Sequence, residues 1–176
     1  MSTPNPLRRV FSYGVLTMTY QLGKRSRKRL APVHPDLQRV IERAIQLSDV
    51  DFTVLEGIRT LEKQKRLVKE GASHTLKSRH LTGHAVDLGA WVDGEVRWDF
   101  GFYLKLAHAV RLASIELNIP VVWGACWTTI NNESDLEDAI ATYVARKKKQ
   151  GKKPLIDGPH FHLCRKHYPA TYKGDV

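Results

Sequence analysis

The chain has 176 residues, 42% of them hydrophobic and 26% charged, and a formal net charge of +10. That length suits one domain able to bury a real core, and that composition excludes a disordered, collagen-like or coiled-coil chain. The positive balance favours an anionic partner, whether nucleic acid, acidic lipid or a bacterial envelope polymer, without choosing among them.

Residues 1–33 read as a basic, partly irregular N-terminal arm preceding the body of a single domain that fills the chain. Arg8 and Arg9 precede a weakly apolar stretch, but Ser12, Gly14, Thr17 and Thr19 break it and no small-residue cleavage site follows. With no run near the roughly 20 apolar residues of a membrane span, the expectation is a soluble protein made in the cytoplasm without a signal peptide. The cluster Lys24-Arg-Ser-Arg-Lys-Arg29 reads as a solvated surface or as an electrostatic foot on an anionic one.

His34-Pro35-Asp36 opens a helix whose apolar face is Leu37, Val40, Ile41, Ala44 and Ile45. Asp51–Gly57 alternates as a strand, and Thr60 caps a second helix that closes near Gly71. A polar loop from Ser73 to Thr82 leads into a strand at Ala85–Gly89, and Trp91–Gly101 reads as a turn-rich excursion around Asp93-Gly94. Phe102–Asn118 is the longest helical pattern. It is followed by a short strand at Pro120–Trp123, a helix over Asp135–Lys149 capped by Ser134, and a last strand at His160–Leu163. Strands interleaved with helices, lacking a regular βαβ period, predict an α+β fold with a small, mainly antiparallel sheet flanked by helices.

Of the eight histidines, those beside carboxylates fall into two clusters, Ser78–Asp87 and Asp157–His162. Hydrolytic zinc takes three protein ligands from His and Asp or Glu and keeps one position open. His80 and Asp87 offer two, because Gly83 lets the loop fold back, and His160 offers a third. Asp157, joined to His160 through Gly158-Pro159, has the chemistry of a base for bound water. Either spacing alone would arise by chance about half the time in this composition, so the bare pattern leaves a loop histidine and a turn aspartate as the plainer readings.

The combination Ser78-x-His80-x-x-Gly83-x-Ala85-x-Asp87 with Asp157-x-Pro159-His160-Phe161 resembles the motif pair of the D-Ala-D-Ala carboxypeptidase/L-alanyl-D-glutamate peptidase family of zinc metallopeptidases, in its phage endolysin branch. His34-Pro-Asp-Leu37, Val50-Asp-Phe52, Glu56-Gly-Ile-Arg59-Thr60 and Val122-Trp-Gly124 follow that branch in the same order. The resemblance implies a hedgehog/DD-peptidase-like fold, Zn2+ on His80, Asp87 and His160, Asp157 as general base, and Arg59 steadying the developing oxyanion. It also implies substrate contacts from Gln64 and Ser78. Peptidoglycan is then the substrate, most readily at the L-Ala–D-Glu bond of the stem peptide, for a monomer made in a host cytoplasm and acting on an anionic envelope after release through the membrane.

Other readings are a D,D-carboxypeptidase or dipeptidase on D-Ala termini, a basic nucleic-acid-binding protein, and a catalytically silent relative of the same fold. The basic runs lack interleaved aromatics, which disfavours nucleic acid, and Asp157 disfavours the silent relative. Four residues depart from the branch or add to it. His162 stands where relatives often have Glu, and His84 adds an imidazole to the first motif. Cys126 and Cys164 read as buried small residues with no assigned role. By alternation His162 shares a face with His160, and it is expected to support the site from its rim.

Overall fold

Side-chain alternation along two central strands divides a buried core from a polar face, and the remaining elements are arranged around that division. The structure is a computed structural model. It describes residues 8–12 and 15–172, with side chains from residue 19 onward. In chain order the elements begin with the hairpin β1 (Arg8–Ser12) and β2 (Val15–Thr19), then α1 (Lys24–Leu30), α2 (Pro35–Leu47), β3 (Phe52–Glu56) and α3 (Leu61–Lys69). After a 3-10 turn at Arg79–Thr82 come β4 (Ala85–Val92), β5 (Glu95–Arg97), α4 (Phe100–Glu116), β6 (Val121–Trp123) and β7 (Thr128–Thr129). A second 3-10 turn at Ile130–Asn132, α5 (Leu136–Lys149) and β8 (His160–Leu163) complete the order.

The main sheet runs β3–β4–β8–β6–β7 with β5 beside β4, and its pairings are antiparallel, so the fold is α+β as expected. Val86 pairs with Phe161 and Asp87 with His160. Val86, Leu88, Phe161 and Leu163 are fully buried in the apolar core. Asp87, His160 and His162, alternating with them, turn to the opposite face. α2 and α4 cover the core, contributing Leu37, Val40, Ile41, Ala44 and Ile45 from one helix and Leu106, Val110 and Ala113 from the other. His34 caps α2, its Nδ1 accepting from Asp36 N at 3.2 Å, with Pro35 in the first turn where its missing N–H costs nothing.

Three expectations are corrected. The basic cluster is not irregular: it forms α1, and the rest of the expected arm up to residue 7 lies outside the described residues. Ser26 and Leu30, four apart and hence on one helical face, are buried against β3, where Ser26 Oγ meets Thr53 Oγ1 at 2.9 Å and accepts from Val54 N at 3.0 Å. The excursion at Trp91–Gly101 contains a hairpin. β4 runs on to Val92, Asp93 and Gly94 both take positive φ (54° and 84°), and β5 returns, which is the tight turn an Asp-Gly pair favours. The cap of α5 is Asp135 rather than Ser134, because the Asp135 carboxylate accepts from both Glu137 N (2.8 Å) and Asp138 N (2.9 Å).

Candidate active site

Three short pieces of chain bring their polar side chains to one point on the sheet's polar face. β4 supplies Asp87 and β8 supplies His160 directly across the ladder. His80 comes from the 3-10 turn, which Ser78 opens by accepting from His80 N at 3.4 Å and Gly83 closes with φ 69°. That left-handed conformation strains any residue with a Cβ, and a Cβ there would also come 3.1 Å from Pro32 O. The fold-back expected of Gly83 is thus present.

His80 Nε2, Asp87 Oδ1 and His160 Nδ1 form a triangle with edges of 3.2, 3.1 and 3.2 Å. Two donor atoms on a tetrahedral zinc ion with bonds of 2.0–2.1 Å lie about 3.3 Å apart, so the donor set and its spacing fit that ion. The outer ring nitrogens are also occupied. His80 Nδ1 donates to Gly57 O at 2.7 Å, which fixes its tautomer and leaves Nε2 a lone pair for the site. His160 Nε2 lies 3.2 Å from His162 Nδ1.

The charges around this point are strongly coupled. Burial alone would push the Asp87 carboxyl up, yet His80 and His160 outweigh it and hold the group well below the usual carboxylate range. Burial pulls His80 down, and Asp87 more than reverses this, leaving it raised. His162 is lowered to about 2, by burial first and then by the neighbouring His160 and Arg165, so it is a neutral imidazole at any working pH.

Asp157 lies one turn before His160. Its N–H donates to Gly124 O at 3.0 Å, and its carbonyl accepts from His160 N at 3.2 Å. Burial raises its pKa, and Asp87 raises it further against the pull of His160, His80 and Arg59. Gly124 makes this approach feasible, since a Cβ there would come 2.5 Å from Asp157 O and 3.0 Å from the His160 Cβ. Tyr103 packs on Gly158 from the helix side. Its hydroxyl is buried with no hydrogen-bond partner among the described residues, and burial together with Asp157 and Asp87 pushes its pKa up to about 12.

Arg59 reaches the site through a register shift. The β3–β4 pairing steps between Val54 and Glu56, so that Glu56 and not Leu55 faces Asp87. A bulge of this kind re-aims a side chain, and here it brings the Glu56 carboxylate onto the polar face. Arg59 donates to Glu56 through Nε (3.0 Å) and Nη2 (2.5 Å), and its Nη2 stands 3.6 Å from Asp87 Oδ2. The guanidinium is therefore anchored beside the His80–Asp87–His160 group and is not a surface arginine.

Gln64 and Ser78, the residues expected to touch substrate, are both buried. Gln64 is fully buried, its oxygen accepting from Arg59 Nη1 (2.8 Å) and its nitrogen donating to Ser73 Oγ and Thr75 O. Ser78 is buried as the cap of the His80 turn. Both position other site residues.

Family membership follows from comparison with known proteins. The phage L-alanyl-D-glutamate peptidase family matches residues 18–164. The chain belongs to that family. The L-alanyl-D-glutamate peptidase of Escherichia phage T5 is 35% identical over 150 residues, spanning 83% of this chain and 99% of that protein. The crystal structure of the Serratia marcescens L-Ala D-Glu endopeptidase ChiX superposes with a TM-score of 0.67 at 42% identity, covering 84% of this chain and 92% of that one.

Within this family member, sequence reasoning missed Glu56, Tyr103 and Trp127 as parts of the site. The Trp127 indole lies 5.7 Å from the His160 ring and 6.1 Å from that of His162, and its backbone takes φ 52°, unusual for a bulky residue. The i, i+3 spacing of Glu56 and Arg59 was the available signal for the first; the other two depend on long-range packing. Cys126 is buried, as expected. Cys164 is only half-buried, and hydrogen bonds led by that of His167 outweigh burial and lower its thiol to about 7. Neither cysteine belongs to the His80–Asp87–His160 group, which could hold a metal ion.

Proposed function

We propose that the protein is a zinc peptidase that hydrolyses the L-Ala–D-Glu bond of peptidoglycan stem peptides, serving as a phage endolysin in host lysis. The observation carrying this reading is the donor triangle of 3.1–3.2 Å edges with a half-buried carboxyl one turn away, in a chain of this family. His80, Asp87 and His160 would hold the ion. Zinc, when bound, supplies a Lewis acid and brings the pKa of a coordinated water down to about 7.

The chain's own residues do the rest. Asp157 takes a proton from the attacking water as the new C–O bond forms, and returns it to the D-Glu amine as the C–N bond breaks. A carboxyl raised by burial suits both halves of that transfer better than an ordinary one. Arg59, fixed by Glu56 and Gln64, faces the negative charge that develops on the carbonyl oxygen, which stabilises the transition state more than the ground state. His162 stays neutral and accepts from His160 Nε2, so that His160 Nδ1 offers its lone pair to the site.

The protein would be made in the host cytoplasm and reach the wall once the membrane is breached by another agent. Its net charge of +10 favours adsorption to the anionic envelope, a contact that rising salt should weaken.

Purified peptidoglycan digested with zinc-loaded wild type and Asp157→Ala tests the reading, with product end groups identified by mass spectrometry. New D-Glu amino termini are expected from the wild type, with the rate falling about 10²–10⁴-fold in the variant. Release of D-Ala instead would replace this reading with a carboxypeptidase.

A further inference from the structure

Among the described residues Trp98 is the most exposed large apolar side chain, at 64%, and it is linked through Tyr103 to the turn that carries Asp157. Its ring centroid is 6.5 Å from that of Tyr103, and Tyr103 packs so tightly on Gly158 that a Cβ there would come within 3.0 Å of the ring. Phe100, 39% exposed, stacks on Trp123 at 6.2 Å and 21°, and Trp123 Nε1 donates to Gly158 O at 2.8 Å. Two outer rings thus rest on two inner ones that grip the residue after Asp157. An exposed aromatic shelf with so firm a backing marks a contact surface.

The charge around the shelf narrows what it contacts. Residues 93–99 carry Asp93, Glu95 and Asp99 against a single Arg97, and that arginine is already engaged by Asp99 (3.3 Å) and Glu95 (4.0 Å). In a chain of net charge +10 this edge is locally acidic. The peptide beyond the scissile bond carries carboxylates, which such an edge repels. On the other side of the bond the substrate is neutral. The amine of L-Ala is joined to the lactyl group of muramic acid, whose carboxyl is consumed in that amide. The sugar therefore begins about one residue's length, roughly 4 Å, from L-Ala.

We infer that Trp98 and Phe100 form a sugar subsite, on which the N-acetylmuramoyl ring of an intact glycan strand lies against the indole. The subsite rests on the peptidase reading for its substrate, and it gives the enzyme a means of preferring wall-attached stems over free peptides.

The test compares two substrates with the same scissile bond, a disaccharide-peptide and the free stem peptide, for wild type, Trp98→Ala and Trp98→Phe. The ratio of kcat/KM on the disaccharide-peptide to that on the free peptide is expected to fall about three- to tenfold in Trp98→Ala, the size of an aromatic stacking contact, and to recover largely in Trp98→Phe. A ratio equal to wild type, whether both rates fall together or neither does, overturns the subsite. Thermal melting of each variant checks that the fold is intact.

Binding of the acyl-side product, N-acetylglucosaminyl-N-acetylmuramoyl-L-Ala, is measured separately by calorimetry. Saturable binding that is lost in Trp98→Ala supports the subsite, and no binding to wild type overturns it. Wild type that binds this fragment without hydrolysing either substrate would defeat the peptidase reading alone.

Discussion

His162 shows how one side chain can set the behaviour of its neighbour. Its Nδ1 lies 3.2 Å from His160 Nε2, it is buried, and it has no charge to offer, so its contribution is that of an acceptor holding a ring in place. Partners of this kind are worth about 10–100-fold in metal affinity. His162→Ala should therefore weaken zinc binding by that order, measured by competition with a chromogenic chelator. His162→Gln, which restores an acceptor at similar reach, should recover most of it. Equal affinity in all three proteins would mean that His160 is oriented by packing under Trp127 instead. Gln64 makes the complementary point about reading residues by type. An amide near an arginine motif looks like a substrate contact, whereas full burial makes it a strut for Arg59.

Among the elements, the close approach of Gly124 to Asp157 and His160 constrains the site directly. Gly124→Ala would put a methyl group 2.5 Å from a backbone oxygen, and backbone cannot swing aside as a side-chain tip can. The expected cost is about 1–3 kcal/mol of stability, with a larger loss in hydrolysis because both Asp157 and His160 must shift. Thermal melting and peptide turnover measure the two, and wild-type turnover in Gly124→Ala would show that the turn relaxes freely. This element scale is also where legibility in the sequence ran out. Strands presenting Asp87 and His160 were readable because alternation and the two motifs agree, and α2 was readable from its spaced apolar face. Helix α1 was hidden because exposed Lys24, Arg25, Arg27 and Lys28 mask the buried pair Ser26 and Leu30. Glu56 was signalled only by its i, i+3 spacing to Arg59, because a register shift, which is a property of two strands and not of one, decides the face it takes.

At the scale of the whole molecule, the site joins β4, β8 and the 3-10 turn, so ligand binding there should stabilise all of them together. An ion that binds only the folded chain adds about 4 kcal/mol at a free concentration 1,000 times its Kd. The metal-free and metal-loaded forms should nevertheless respond oppositely to pH. Without the ion, Asp87 is held below its ordinary 3.8, so its contribution is present above that value and fades only in strong acid. His80 is raised above its ordinary 6.5 by the same carboxylate, so its contribution is present below 6.5 and is lost as pH rises through the higher folded value. The metal-free protein should therefore lose stability as pH rises above about 6.5 and His80 gives up its proton. A zinc ion held there would compete with that proton for the imidazole, and its binding would strengthen over the same interval. The gap in Tm between zinc-loaded and EDTA-treated protein should widen as pH rises above about 6.5, with turnover lost on chelation and restored by zinc. A gap that stayed constant would mean that His80 is not the group exchanging a proton for the ion, and a gap of zero would remove the metal from this site altogether.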